Sequence, residues 1–265
     1  MSGRPVGDPA EPPLLDVDEV PAVERVNWDG GGAFVLVCDH AANRVPRRLG
    51  NLGLSAASLA DHIGWDPGAA DVARRLSARL DAPLLLSGYS RLVIDCNRPL
   101  RSAESIPERS AGVEIPGNGA LASRQRQIRV DELFRPYHDA ITQLLDARAG
   151  RPTLLLSIHS FTPVLNGRHR PWQIGISGCG DRRLAGLLIG ALAQPGDIVV
   201  GDDQPYPIED GIDYTILEHG AGRGLPGAMV ELRQDEIGTP DRAAAWADRV
   251  AAACRLIEAQ ALRPS

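Results

Sequence analysis

Apolar positions along this chain fall into short, nearly unbroken runs, separated by turns rich in proline, glycine and polar residues. The clearest run is residues 153–158 (Thr-Leu-Leu-Leu-Ser-Ile), with Pro152 before it and Pro163 soon after. Such a run predicts a short strand buried on both faces, ending at His159. Similar runs at 33–38, 83–87, 91–95, 172–177, 197–200 and 228–233 predict six more strands. Helical spacing predicts helices from about 67 to 80, 121 to 149, 181 to 192 and 241 to 260, with a short one near 216–219. Pro67 suits a first helical turn and Asp66 its N-cap. The long helix is expected to bend at Pro136, beside Tyr137 and His138. Strands and helices alternate and no internal repeat is found. The fold class expected is therefore α/β, a three-layer α/β/α sandwich with a mixed, mostly parallel sheet.

Residues 1–24 are rich in Pro, Asp and Glu and read as a loosely attached arm; 25–265 read as one catalytic domain. The stretch 101–119 lacks periodicity, and a polar loop of that length reads as an active-site flap. With 43% hydrophobic and 23% charged residues, the chain has the balance of a soluble globular protein. A formal charge of −6 without a basic block argues against nucleic acid or an anionic membrane as partner. No apolar run is long enough to span a bilayer, and the N-terminus lacks the apolar core of a signal peptide. Cys38, Cys96, Cys179 and Cys254 stand far apart without a Cys-x-x-Cys pair, the usage of reduced, buried thiols and of a cytoplasmic protein.

Chemistry-bearing residues collect where strands end: His40, Asn97-Arg98, His159 and Glu231. In an open α/β sheet those ends share one edge, where ligands bind. Two histidines, a carboxylate and an arginine in one cleft suit a hydrolytic zinc site, which takes three protein ligands and keeps a position for water. Each residue has a plainer alternative. The histidines could be ordinary strand-end residues, and Glu231 could pair with Arg233, which alternation places on the same strand face. Arg98 offers a fork for a carboxylate but could pair with Asp95. Arg91 could steady an oxyanion or simply open a strand at the surface. His169 and His219 read as solvated or structural.

Three of these stretches, Ser157-Ile-His159-Ser-Phe, Asp95-Cys-Asn97-Arg98 and Glu231-Leu-Arg233, resemble signatures of the zinc carboxypeptidase fold. The whole string resembles the N-formylglutamate amidohydrolase family more closely. Its pattern is matched by Cys38-Asp-His40-Ala-Ala-Asn-Arg-Val-Pro46, His62-Ile-Gly-Trp-Asp66-Pro-Gly-Ala69, Ser90-Arg-Leu-Val-Ile-Asp-Cys-Asn-Arg-Pro99, Ile115-Pro-Gly-Asn118, Pro136-Tyr-His138 and Pro205-Tyr206, in order from about 33 to 260. The resemblance implies hydrolysis of an N-acyl, specifically N-formyl, amino acid such as N-formylglutamate. It implies one Zn2+ per chain, with another divalent metal as the alternative, held by His40, His159 and a third ligand. Glu231 would be the general base, and Asn97 and Arg98 the holders of the substrate carboxylate.

Two departures stand out. The peptidases carry His-x-x-Glu, whereas this chain has His40-Ala-Ala-Asn43. An amide oxygen is a poor zinc ligand, so Asp66 is the preferred third ligand over Asn43 or His62, against its reading as a cap. Asp203 stands where the pattern has asparagine, which bears on the substrate pocket. Asn43, Asn118, Tyr214 and Arg233 are expected among the substrate contacts, Arg91 with Glu231 in catalysis, and His62 and His138 behind the ligands. A carboxypeptidase or amidase acting on a peptide or cell-wall fragment, and a metal-free binding protein, are the rival readings.

Overall fold

The run around Leu155 becomes the centre of a seven-stranded sheet, because it is apolar on both faces and can only be satisfied between two layers. The computed structural model describes residues 12–263. Its strands are β1 (Val23–Val26), β2 (Phe34–Cys38), β3 (Leu84–Ser87), β4 (Leu154–Phe161), β5 (Ile174–Ser177), β6 (Val200–Asp202) and β7 (Gly227–Arg233), in spatial order β1-β3-β2-β4-β7-β5-β6. The four central strands β3, β2, β4 and β7 are parallel. β1 pairs antiparallel at one margin, and β5 and β6 run against β7 at the other. The sheet is thus mixed and mostly parallel, as expected.

Alternation along the strands sorts the core into two layers. Leu154, Leu156 and Ile158 of β4 point with Leu36, Val230 and Leu232 toward α2 (Ala69–Leu80), α5 (Arg183–Ala193) and α6 (Pro240–Ala261). Leu155, Val35, Val37 and Met229 point the other way, toward Tyr137, Ile141 and Leu144 of α4 (Arg135–Ala147). Each leucine fully buried in this way stabilises the fold by about 1.5–3 kcal/mol relative to an exposed one. Since Leu155 faces α4, so do Ser157 and His159; since Met229 does, so does Glu231. The polar residues of the site share one sheet face by parity.

Several expected elements differ in the structure. Residues 91–95 form a turn, not a strand. Leu92, Val93 and Ile94 are buried against Leu133 and Phe134, and a short apolar run cannot by itself tell a strand from a buried turn. The arm boundary at 24 also moves. Val23 and Glu24 lie in β1, Leu14 is buried, and the Leu14 and Leu15 amides donate to the Glu132 carboxylate at 2.8 and 3.1 Å. The part of the expected arm from 1 to 11 lies outside the described residues. The long helix is α3 (Ser123–Arg129) and α4 joined by one π turn, Val130–Phe134. Pro136 lacks an amide hydrogen, and the wider turn before it absorbs the missing bond. The described residues also hold a short α1 (Ala56–Ala60), a π turn at Ile216–Gly220 where a short helix was expected, several 3-10 turns and two small hairpins. No helix among them is long and apolar enough to cross a membrane.

Candidate metal centre and cleft

Three elements each deliver one side chain to a buried point at the carboxyl edge of the parallel strands. His40 stands two residues past β2, His159 lies on β4, and Asp66 lies on the segment that leads into α2. His159 Nδ1 is 2.9 Å and His40 Nδ1 3.4 Å from the same oxygen, Asp66 Oδ2. One potential ligand atom from each residue lies within 4.8 Å of the others, a group that could hold a metal ion. Asp66 does not cap a helix. The N-cap of α2 is Gly68 at φ 83°, and Asp66 Oδ2 accepts instead from the Ser160 amide at 3.1 Å.

The far nitrogen of each imidazole is held by a carboxylate. His40 Nε2 lies 2.7 Å from Asp95 Oδ1, and His159 Nε2 lies 3.1 Å from Asp39 Oδ2 and 2.8 Å from Ser157 Oγ. Asp39 is itself fixed by hydroxyl donors, Ser157 Oγ at 2.8 Å and Thr215 Oγ1 at 2.7 Å. A carboxylate behind Nε2 holds a proton there, so Nδ1, the nitrogen that lies against Asp66, is the one that would face a bound cation, the arrangement that orients metal-binding imidazoles. Two imidazole nitrogens and a carboxylate oxygen are donors that suit a divalent cation.

The electrostatics agree. Burial pulls the His159 imidazole down, but Asp39 and Asp66 outweigh it and hold it well above its usual value. Burial and Arg91 depress His40, and Asp95 and Asp66 more than compensate. Asp66, despite burial, is held well below the carboxylate range by the two histidines. The centre favours positive charge.

Glu231 lies opposite His159 in the register of β7 on β4. Its carboxyl is buried, Oε2 has no hydrogen-bond partner among the described residues, and burial pushes it up to about 7. Arg91 Nη2 pairs with Asp95 Oδ2 at 2.7 Å, while Nη1 reaches within 3.3 Å of His40 Nδ1. Arg98 gives Nη1 to the Asn97 carbonyl and to Asp213 Oδ1, at 3.0 and 3.3 Å. Its Nε and Nη2 have no partner among the described residues. His40, Asp66, His159, Glu231, Arg91 and Arg98 line one cleft of about 300 Å³, together with Asn97 and His62.

The sequence pattern of the N-formylglutamate amidohydrolase family matches residues 32–238. This chain belongs to the N-formylglutamate amidohydrolase family. Among solved structures, the gene product Atu2144 from Agrobacterium tumefaciens is 39% identical with a TM-score of 0.88, covering 92% of this chain and 99% of its own. The N-formylglutamate amidohydrolase from Ralstonia eutropha JMP134 is 16% identical with a TM-score of 0.66, covering 91% and 98%, and shares the fold. No curated protein matches. As a member of an amidohydrolase family, the protein hydrolyses an amide bond.

Within this N-formylglutamate amidohydrolase family member, several residues expected at the substrate lie elsewhere. Asn43 and Tyr214 do not line the cleft; the Tyr214 ring packs on Phe134 and His138. Asn118 donates to the Leu92 and Pro107 carbonyls and accepts from Arg129, which pins residues 106–118 to the second core. The stretch 101–119 therefore braces the fold and supplies no cleft residue. The cover comes instead from Tyr206, Pro207, Glu209, Ile212 and Asp213. Arg233 shares strand parity with Glu231, but its guanidinium turns to Asp235, Glu236 and the Arg170 carbonyl. Asn97 lines the cleft, yet its amide is committed to Asp213 and to the Tyr214 and Thr215 amides. Asp203, at φ 52°, accepts from the Gly178 amide away from the cleft, so the departure there leaves the lining unchanged. The sequence pattern marks Asp95 only as a partner for Arg98, whereas it binds His40 and Arg91, and it does not mark Asp39. Their one signal as histidine partners was position, immediately before His40 and two residues before Asn97.

His138 is not behind a ligand but in a buried pair. Its Nδ1 is 2.9 Å from His219 Nε2, the rings are stacked, and its Nε2 is 2.9 Å from the Cys96 carbonyl. A carbonyl only accepts, so His138 carries its proton on Nε2 and receives one bond from His219. His219 is therefore structural, as one of its two expected readings had it. Burial lowers His138 to about 4 and His219 to about 3. Both are charged more easily in the unfolded chain, near 6.5, so the unfolded state binds extra protons below that pH. Stability is expected to fall as pH drops from about 6.5 toward 4, by roughly 1 kcal/mol per pH unit for each histidine. Urea unfolding at pH 7 and pH 5 tests this. Replacing the pair, as His138→Phe with His219→Leu, should flatten the wild-type decline, and an unchanged slope would refute the assignment.

Proposed function

We propose that the protein is a zinc-dependent hydrolase of N-formyl α-amino acids, with His40, Asp66 and His159 holding the metal. The observation that carries this is the pairing of an oriented two-imidazole, one-carboxylate donor set with the unpartnered carboxyl of Glu231 across the same cleft. Zinc in such a site lowers the pKa of water to about 7 and polarises a carbonyl. The remaining steps fall to the chain. The free Nε–Nη2 fork of Arg98 takes the substrate α-carboxylate. The Arg91 guanidinium, beside His40, stabilises the amide oxygen as it becomes negative, and Asp95 keeps that guanidinium in place. Glu231 removes the proton of the attacking water and delivers it to the departing amine, releasing formate and a free amino acid. A volume of about 300 Å³ supports a small acyl amino acid over a peptide.

Metal analysis of the purified protein, paired with formate release before and after chelation, tests the reading. About one zinc per chain, activity lost on chelation and restored by zinc, is expected. Protein that stays inactive on every N-formyl amino acid after zinc is added would refute it.

A further inference from the structure

Arg129, the last residue of α3, is buried and meets no carboxylate among the described residues. Its acceptors are all neutral. Nη1 donates to the Val93 carbonyl at 2.9 Å and to Asn118 Oδ1 at 2.7 Å, and Nη2 to the Gly117 carbonyl at 3.2 Å. Burial lowers its pKa only to about 10, so the guanidinium stays charged at neutral pH. A buried charge without a counter-charge is costly, and an apolar residue of similar size would suit the fold better. What the charge holds is the turn that serves the cleft. Asn118 Nδ2, on the amide that Arg129 fixes, donates to the Leu92 carbonyl at 2.8 Å. Two successive carbonyls, Leu92 and Val93, are thus gripped by side chains from outside the turn.

Just before them, Ser90 Oγ donates to the Gly64 carbonyl at 2.7 Å. Arg91 lies between these two anchors. Asp95, which holds Arg91 Nη2 and His40 Nε2 at 2.7 Å each, lies two residues beyond them. The turn belongs to no strand, so side chains supply the bonds that a sheet ladder would give. Arg98 depends on a different anchor, since the Asn97 side chain is fixed by Asp213 and by the Tyr214 and Thr215 amides. We propose that Arg129, acting with Asn118, is a positioning residue that sets Arg91 and Asp95 for the reaction and leaves the carboxylate-binding end of the turn to Asp213. This rests on the hydrolase reading above, in which Arg91 stabilises the amide oxygen.

The test compares zinc-loaded wild type and Arg129→Ala on the N-formyl amino acid that wild type turns over fastest. The variant should lose about 10²-fold in kcat, the effect of a displacement of about 1 Å at the reacting groups, with KM within about twofold of wild type. In hydrogen exchange, residues 90–97 should exchange faster in the variant. A cavity of about 390 Å³, lined by Gly117, Leu121, Ile128 and Arg129 itself, opens beside the guanidinium. N-ethylguanidine, which replaces the atoms removed, should enter it and raise the variant's kcat at about 10 mM, far below denaturing concentrations, whereas ethylamine, without a planar fork, should not. Arg129→Lys, which keeps the charge but not the fork, takes the same kcat, KM and exchange measurements if the alanine variant does not fold. Unchanged kcat, a KM that rises as kcat falls, unchanged exchange, or no rescue of the alanine variant by ethylguanidine overturns the proposal. Zinc-loaded wild type that releases no formate overturns the hydrolase reading instead, and the exchange rates alone then decide whether Arg129 holds the turn.

Discussion

Glu231→Gln should lose about 10²–10⁴-fold in formate release while keeping its metal. The substitution preserves shape and burial but removes a carboxyl that is buried in the cleft and, among the described residues, has no hydrogen-bond partner at Oε2. Asp39, Asp66 and Asp95 are already committed to histidines or to Arg91, and each is held below the carboxylate range, so none can take over as base. Removing an unpaired buried carboxylate also removes its desolvation cost, so the variant should unfold at an equal or higher temperature than wild type. Activity down and stability not down is the signature of a residue kept for chemistry. Retention of more than about a tenth of the wild-type rate, well inside what a positioned base contributes, would remove Glu231 from its role.

His159→Ala should bring the metal content from about one per chain to background and abolish turnover with it. The loss goes beyond one ligand. The imidazole sits between Asp39 and Asp66, and without it two buried carboxylates face each other with no cation between them. Breaking a buried pair in this way typically costs about 3–5 kcal/mol. Metal analysis should therefore be read beside circular dichroism at low temperature, which separates a folded, metal-free protein from an unfolded one. Folded variant protein that still carries stoichiometric zinc would exclude His159 as a ligand.

Much of this architecture is legible in the linear pattern. The doubly buried run at 153–158 identifies the central strand, because an apolar stretch between prolines has no stable place except between two layers. The alternation of such runs with helical periods implies a mostly parallel sheet, and parallel strands bring their carboxyl ends together. That alone places His40, His159 and Glu231 near one another. The stretch 91–95 misleads for the same reason that 153–158 informs. Its burial is legible, but the geometry of a buried turn follows from what packs around it, here Leu133 and Phe134.

The sequence by itself determined the family, the order of the layers and the identity of the residues able to hold a cation, since these follow from hydrophobic periodicity and from side-chain chemistry. Only the tertiary structure decided how those residues are used. It set Asp66 beside two histidines and removed its alternative as a helix cap, because Gly68 at φ 83° starts α2 and leaves the carboxylate free to reach Ser160 and His159. It made Asp39 and Asp95 the carboxylates behind Nε2, contacts across 120 and 55 residues of chain that no local spacing encodes. And it covered the cleft with residues 206–213 rather than 101–119, because Asn118 and Arg129 lock the latter into a core of its own. Local pattern fixes which side chains are available; the pairing of distant carboxylates with imidazoles depends on how the layers close, and that is set by packing over the whole sheet.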